Sequence, residues 1–429
     1  MRILHAARNV ANQAGDVVVA LRRLGHEAEL WEYGTNPFGF PSDRTIDVEP
    51  GDPTIFWRTF LESIDRFDVI HFHFARTFFP NAWRGVPAFW DMPIYRMLDK
   101  KLFFTFHGSD IRIRRIHERI NPWSYYRHSD IPADDDRTEK TIEAIRTYAN
   151  RMFVVSVDYL PFVPEAEVVE RVIDLAAWPE QGPDQRRRPT VVHIPGQRGT
   201  KGSDYVIEGM GRLIDEGLEV DFQLLEGVSH AEAVHAIRNA DIVVDNLLTG
   251  DYEVVSLEAM AASRVSIANI QPAVAAAYPE VPVVSADPDT FVATMRGLVG
   301  ALDRRRELAA RGRPYVARIH DAPVIANKLL GYYQADYPAL ASGTLPDWFS
   351  LEGKREIEKL HSRIFRLEQE LVRERRDEDR LRRQLGLPQL GIGDREHPQT
   401  RSEKAKELLP GPVRRVLRRG RAKAEGRRA

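Results

Sequence analysis

Short apolar runs alternate with amphipathic stretches through residues 1–340, and this alternation constrains the fold more than any other feature. Apolar runs at 2–5, 27–32, 69–72, 102–106 and 152–156 read as strands, and a helix is expected over 13–24, closed by Gly25. A second series follows, with strands at 190–194, 221–225, 242–246, 265–268 and 281–284 and helices over 204–216, 230–239 and 254–262. Strand–helix repetition of this kind specifies an α/β fold with mainly parallel sheets, because each parallel crossover needs a helix to return the chain. Two tandem series imply two Rossmann-like domains. Pro161, Pro164, Pro179 and Pro183 interrupt regular structure between them. The expected division is therefore 1–165 and 166–345, with long surface loops at 38–54 and 121–136.

From residue 351 the texture changes. Ile357, Leu360, Ile364, Leu367, Leu371, Leu381 and Leu385 share the a and d positions of one heptad frame, broken at Glu374 and Glu378. A coiled coil over 350–386 is expected. Its stripe needs a cover, so a homodimer joined through 357–385 is the expectation, with the globular body as the other possible cover. Residues 387–429 read as a mostly disordered tail in which 401–429 carry eleven Lys/Arg against three Glu. The stretch Val413-Arg-Arg-Val-Leu-Arg-Arg-Gly-Arg is either a solvated tail or a weak contact for anionic lipid. No aromatic residues interleave its charges, which argues against nucleic acid.

The formal net charge of −2 gives no overall field towards polyanions. The chain has no cysteine, which excludes disulfides, thiol nucleophiles and cysteine-ligated metals and suits a reducing cytosol. No apolar run reaches the ~20 residues that span a bilayer. The first residues enter a strand directly, without the pattern of a signal peptide. A cytoplasmic protein, at most peripheral at the inner face of a membrane, is the expectation.

Two segments carry candidate chemistry. In Val-Val-His-Ile-Pro-Gly-Gln-Arg198-Gly-Thr-Lys201-Gly, a strand runs into a glycine-punctuated loop with two cations. Such a loop suits a diphosphate, and it is also how a solvated basic turn reads. In Asp245-Asn-Leu-Leu-Thr-Gly-Asp-Tyr-Glu-Val254-Val255-Ser-Leu-Glu258, a strand ends, a loop containing Gly250 follows and a helix begins. Its first-turn N–H groups form an anion site. Glu258, one turn in, is placed either to hold ribose hydroxyls or simply as an exposed helical glutamate. His71 and His73 alternate on a strand and read equally as packing or cleft-wall residues. No metal is expected there, because no carboxylate stands at a ligand-like spacing.

Taken together and in order, these segments resemble the GT-B glycosyltransferases of the retaining group 1 or family 4 class. The resemblance covers roughly residues 1–340 and extends to Asn-Gln-Ala, Leu-Arg-Arg-Leu-Gly-His-Glu-Ala-Glu and Tyr-Gly-Thr-Asn-Pro-Phe-Gly-Phe-Pro near the N-terminus. It implies transfer of a sugar from a nucleotide-sugar donor to a hydroxyl acceptor, in a glycan or glycolipid, with no metal and no other cofactor. Arg198 and Lys201 would neutralise the diphosphate, the backbone of Val254 and Val255 would hold a phosphate, and Glu258 the ribose. His107, in Phe-His-Gly-Ser-Asp, would stand beside the transferred sugar, and Asn12, Gln13 and Gly15 would line the acceptor side.

The sequence also departs from that pattern. Gly250 stands where the class usually has Glu, as it does in one subgroup. Glu253 replaces that subgroup's Gly, and Ser263 and Val265 replace a usual Gly and Pro. The Ser263 change costs about 1 kcal/mol if the position needs a positive φ. A non-catalytic scaffold subunit assembled through the coiled coil is the alternative reading. A nucleotide-sugar epimerase is disfavoured for want of carboxylates around the sugar, and an NAD-dependent oxidoreductase because the first strand–helix turn lacks Gly-x-Gly-x-x-Gly.

Overall fold

A computed structural model of the chain describes residues 1–47, 54–79, 88–182, 185–341 and Arg373. The chain divides into two compact units, Met1–Leu345 and Pro346–Ala429. Apart from Arg373, the heptad seam and the basic tail lie outside the described residues. No described helix is long and apolar enough to cross a membrane.

The first unit begins with β1 (Arg2–Ala6), α1 (Gln13–Arg23), β2 (Glu27–Tyr33), β3 (Arg44–Ile46), α2 (Thr54–Arg66), β4 (Val69–His73), α3 (Asp91–Met97), β5 (Lys101–Phe106), α4 (Arg114–Ile120), α5 (Tyr125–His128), α6 (Asp135–Tyr148), β6 (Arg151–Val154) and β7 (Glu167–Val168). It continues with β8 (Thr190–His193), α7 (Arg198–Lys201), α8 (Ser203–Asp215), β9 (Asp221–Leu224), α9 (His230–Asn239), β10 (Ile242–Asn246), α10 (Val254–Ala261), β11 (Val265–Ala268), α11 (Pro272–Ala277), β12 (Val283–Ser285), α12 (Phe291–Gly300), α13 (Leu302–Ile319) and α14 (Ala322–Gln334).

The strands form two parallel sheets, ordered β3-β2-β1-β4-β5-β6-β7 and β12-β11-β10-β8-β9. Each reverses its winding once, beside β1 in the first and beside β8 in the second. The crevice at such a switch point opens at the carboxyl ends of the strands, where α/β proteins bind ligands.

Side-chain alternation explains the layers of the first sheet. Leu4, Ala6, Ile70, Phe72, Leu102 and Phe104 face one core, with Phe60, Met92 and Tyr95 from α2 and α3. Ile3, Val69, Phe103 and Phe153 face the other, covered by Val17, Val18 and Leu21 of α1 and by Ile325, Leu329 and Tyr333 of α14. The last helix of the unit thus returns to the first sheet. Val192, Val243 and Ala268 of the second sheet face Leu257 and Met260 of α10, and Val191, Ile242, Val244 and Ile267 face Val206, Met210 and Leu213 of α8.

Two expected surface loops are corrected. Residues 38–54 contain β3, whose Arg44–Ile46 pairs with Trp31–Tyr33. Within 121–136, Ser124 caps α5, and Asn121, Ser124, Tyr125 and Tyr126 are buried. Asn121 Nδ2 donates to the Leu248 carbonyl at 2.9 Å, and Gln271 Nε2 donates to Asn121 Oδ1 at 3.1 Å. This segment docks on the second half through single polar and aromatic residues, which leave no periodic pattern to read.

Candidate functional site

A cleft of about 320 Å³ lies between the carboxyl ends of the two sheets. One wall carries Ile194, Gly196, Lys201, Leu225, Gly227, Val228, His230, Val254, Val255 and Glu258. The other carries Val10, Ala11, Gln13, Phe38, Phe40 and His107, with Arg171 and Glu253 also lining the space.

Lys201 ends the short helix α7, and Gly202 turns the chain into α8 at φ +72°. A Cβ at Gly202 would lie 2.8 Å from Leu248 Cγ, so both the backbone conformation and the space require glycine. The Lys201 ammonium lies 2.7 Å from Asp245 Oδ1 and touches the Glu253 carboxylate. Burial alone would lower its pKa, but the two carboxylates outweigh that and raise it. Glu253 is held below the ordinary carboxylate value against the cost of burial by Lys201, Arg112 and Arg171.

Arg198 does not join Lys201. Its guanidinium is half exposed and forms a two-pronged pair with Glu226, at 2.6 Å and 2.7 Å. Arg171, from the stretch after β7, lines the cleft in its stead and pairs with the Asp251 carboxylate. Nothing local in the sequence marked Arg171, since its setting comes from contacts far along the chain.

Glu253 is also the N-cap of α10, and its N–H donates to Asp245 Oδ2 at 2.7 Å. Asp245 further accepts from Ser256 Oγ at 2.7 Å, so one buried carboxylate ties β10, α7 and α10 together. Val254 and Val255 present the first turn of α10 to the cleft, and Glu258 follows one turn on. Glu258 is buried and meets His230 Nε2 at 2.7 Å. That contact raises the His230 pKa above its ordinary value, against its partial burial. His230 is placed by the reciprocal Ser229–Glu232 cap at the start of α9, and Phe40 from the other wall packs on its ring at 4.6 Å between centroids.

On the first sheet's side, Gln13 lines the cleft and clamps Val172, donating to its carbonyl at 2.8 Å and accepting from its N–H at 2.9 Å. Asn12 and Gly15 shape the turn beneath. Asn12 sits at φ 58° with its amide 2.6 Å from Asp16 Oδ1, and a Cβ on Gly15 would fall 2.3 Å from Asn12 Oδ1. His107 follows β5, with its backbone N–H and that of Gly108 held by Asp110 Oδ1 at 3.0 Å and 2.7 Å. Its ring meets His73 at 3.0 Å. Burial pushes the Asp110 pKa up to about 6 and lowers that of His107 well below the usual histidine value.

His5, unremarked in the sequence, joins His71 and His73 in one buried group with ligand-type atoms within 4.8 Å of one another. Their nitrogens are spent on each other and on neighbouring hydroxyls. His5 Nδ1 lies 2.8 Å from His73 Nε2, and His71 Nε2 lies 2.7 Å from Thr105 Oγ1. This is the arrangement of a hydrogen-bonded network, and no metal is assigned to it.

Between the two halves, Arg112 lies 3.7 Å from Asp158 and 3.6 Å from Glu253, and Tyr159 Oη receives hydrogen bonds from both Arg112 and Arg171. Asp158 and Asp251 are both raised by burial first. Arg112, Asp158 and Tyr159 precede the crossing, Arg171 lies within it, and Asp251 and Glu253 follow it, so these contacts tie the two sheets across the cleft.

Two facing parallel α/β sheets with a cleft between their carboxyl ends define the GT-B fold, that of the GT-B glycosyltransferases. HepE of Anabaena, solved with UDP and glucose, matches with a TM-score of 0.54 at 12% identity, over 77% of this chain and 99% of its own. Sucrose-phosphate synthase from Thermosynechococcus elongatus matches at 0.51 and 14% identity, over 78% of this chain and 95% of that one. A glycosyltransferase from Rickettsia africae matches at 0.51 and 12% identity, over 78% and 97%. No protein-family model and no curated protein matches the sequence.

Proposed function

We propose that the chain is a glycosyltransferase that moves a sugar from a nucleotide-sugar to a hydroxyl acceptor. The observation that carries this reading is the convergence of Lys201, the first turn of α10 and Glu258 on one cleft wall, with His107 and Gln13 on the other. The diphosphate would sit between the Lys201 ammonium and the Val254 and Val255 N–H groups, and the ribose on Glu258. As the sugar leaves, charge grows on the diphosphate, and a fixed ammonium and oriented amides stabilise it without a metal ion. A retaining course and a glycan or glycolipid acceptor follow from the resemblance in sequence. Residues 1–165 would serve mainly the acceptor and 166–345 the donor. HepE binds UDP, which makes UDP the first base to try.

The test is calorimetry and turnover with UDP, GDP, ADP and their sugars, on the wild type and on Lys201→Ala. One nucleotide that binds the wild type and not the variant, and whose sugar is consumed, is expected. Binding by none of them would sink the reading. Binding without turnover would favour the alternative, a non-catalytic sugar-binding or scaffold subunit assembled through the coiled coil.

A further inference from the structure

A line of imidazoles runs from the cleft into the first sheet. His107 Nε2 lies 3.0 Å from His73 Nδ1, and His73 Nε2 lies 2.8 Å from His5 Nδ1. His5 Nε2 lies 3.4 Å from the Tyr333 hydroxyl of α14, which is in closer contact with His71 Nδ1. His71 Nε2 then meets Thr105 Oγ1 at 2.7 Å. The strand register builds this line: His5 pairs with His71 and His73 with Thr105, on the face covered by α14. His107 Nδ1 has no hydrogen-bond partner among the described residues, and the partly exposed ring lines the cleft, so this nitrogen opens on it.

Neutral imidazole has one N–H, and each ring in the line therefore passes its choice of tautomer to the next. Burial lowers His5, His71 and His107 well below the ordinary histidine value and brings His73 to about 3, so the rings are neutral at physiological pH. Only two proton arrangements satisfy every contact and also pair the hydroxyl proton of the fully buried Tyr333, which would be orphaned if its oxygen accepted from both rings. Tyr333 has a single hydroxyl proton. If it goes to His71 Nδ1, His71 Nε2–H donates to Thr105. His5 Nε2–H then donates to Tyr333, His73 Nε2–H to His5 Nδ1, and His107 Nε2–H to His73 Nδ1. His107 Nδ1 is left as a bare lone pair. If the Tyr333 proton goes to His5 instead, every step reverses and His107 Nδ1 carries the hydrogen. A hydroxyl proton favours the nearer acceptor, and 3.4 Å is long for an O–H···N bond.

We propose that His5 and His73, set by Tyr333, are positioning residues that hold His107 in the Nε2–H tautomer, so that its Nδ1 accepts a hydrogen bond from a hydroxyl in the cleft. Resting on the reading above, that hydroxyl belongs to the transferred sugar. The substrate class is thus one with a free hydroxyl at this point, and a carboxylate or fluorine there, which cannot donate, is discriminated against. None of the three residues acts on the sugar directly; their effect passes through His107.

The test is long-range ¹⁵N correlation spectroscopy of the full chain labelled on histidine, with the His107 signals assigned by His107→Gln. The wild type is expected to show Nδ1 unprotonated. Tyr333→Phe removes the proton that sets the line, and a mixture of His107 tautomers is expected. Thr105→Val leaves His71 Nε2–H without an acceptor and drives the line towards Nδ1–H on His107. Each variant is expected to lower kcat roughly tenfold, about 1.4 kcal/mol on the barrier, with KM for the donor within about twofold. A wild-type His107 carrying Nδ1–H, or a tautomer that neither variant shifts, would overturn the proposal. If Tyr333→Phe fails to fold, Thr105→Val reads the same line from its other end. The spectra need no turnover, so an absence of sugar transfer would remove the proposed function while leaving the tautomer assignment standing or falling by itself.

Discussion

The Glu253 carboxylate rests on the Lys201 ammonium and 3.6 Å from Arg112, at the N-terminus of α10. On the proposed donor reading, a diphosphate at Lys201 and the first turn of α10 would have to compete with it. Glu253→Gln is expected to tighten binding of the cognate nucleoside diphosphate by about tenfold, or about 1.4 kcal/mol, by calorimetry. Arg112 is nearly fully buried and loses a carboxylate in this variant, so its unfolding midpoint should fall as the affinity rises. Unchanged affinity would mean that Glu253 and the diphosphate do not compete.

Ser263 tests a helix end. The Ser263 N–H donates to the Met260 carbonyl at 3.0 Å and the Arg264 N–H to Ala259 at 2.8 Å, with Ser263 at φ 54°. These are the two bonds of a Schellman closure, whose left-handed residue favours glycine. Ser263→Gly should therefore stabilise the protein by about 1 kcal/mol, read as a higher urea midpoint with an unchanged slope.

Asp16 gives stability a pH dependence of known sign. Burial raises its pKa to about 7, against the hydrogen bonds from Asp174 and Asn12 that favour the ionised form. The folded state therefore holds a proton that the unfolded chain releases near pH 4, and this contribution is lost as pH rises from there towards 7. Urea unfolding at pH 5, 6 and 7 should show a slope of up to about 1.4 kcal/mol per unit from this group, which Asp16→Asn removes. A variant with the wild-type slope would contradict the assignment.

On the proposed reading, His230 would link protons to nucleotide binding. Its pKa is raised by the hydrogen bond to Glu258, so the contact contributes fully below the ordinary histidine value and is lost as pH rises through the shifted one. A ribose that takes Glu258 must release His230 and its proton. Nucleotide binding should then strengthen from pH 6 to pH 8, and calorimetry in buffers of different ionisation enthalpy should detect proton release. His230→Gln should abolish both effects.

What the sequence made legible was local. The strands that became β1, β4, β5, β8 and β10 were read to within a residue or so, because buried parallel strands are short apolar runs and α1 ends in a closing glycine. Lys201, Val254, Val255, Glu258, Gln13 and His107 come to one cleft because each follows a strand end or starts a helix. What was missed depends on distant partners. Glu226 draws Arg198 away, Arg171 is aimed by Asp251 eighty positions on, and His5 gains meaning only from the strand beside it. The Asn121 segment reads as a loop because lone docking residues carry no periodicity.

The return of α14 to the first sheet has a consequence for inheritance as well as architecture. Tyr333 completes a side-chain line that begins in β1, and Lys101 Nζ of β5 donates to the Tyr333 carbonyl at 2.8 Å. The chain crosses between the halves twice, and Ile173 and Asp321 bridge where the two crossings meet. The first half is therefore not one uninterrupted stretch of sequence, and a cut at a single linker cannot free it. Recombination that exchanged only the N-terminal half between two relatives would leave the newcomer's imidazoles facing a stranger's tyrosine. A graft of residues 1–168 therefore needs residues 322–334 with it to keep this face covered.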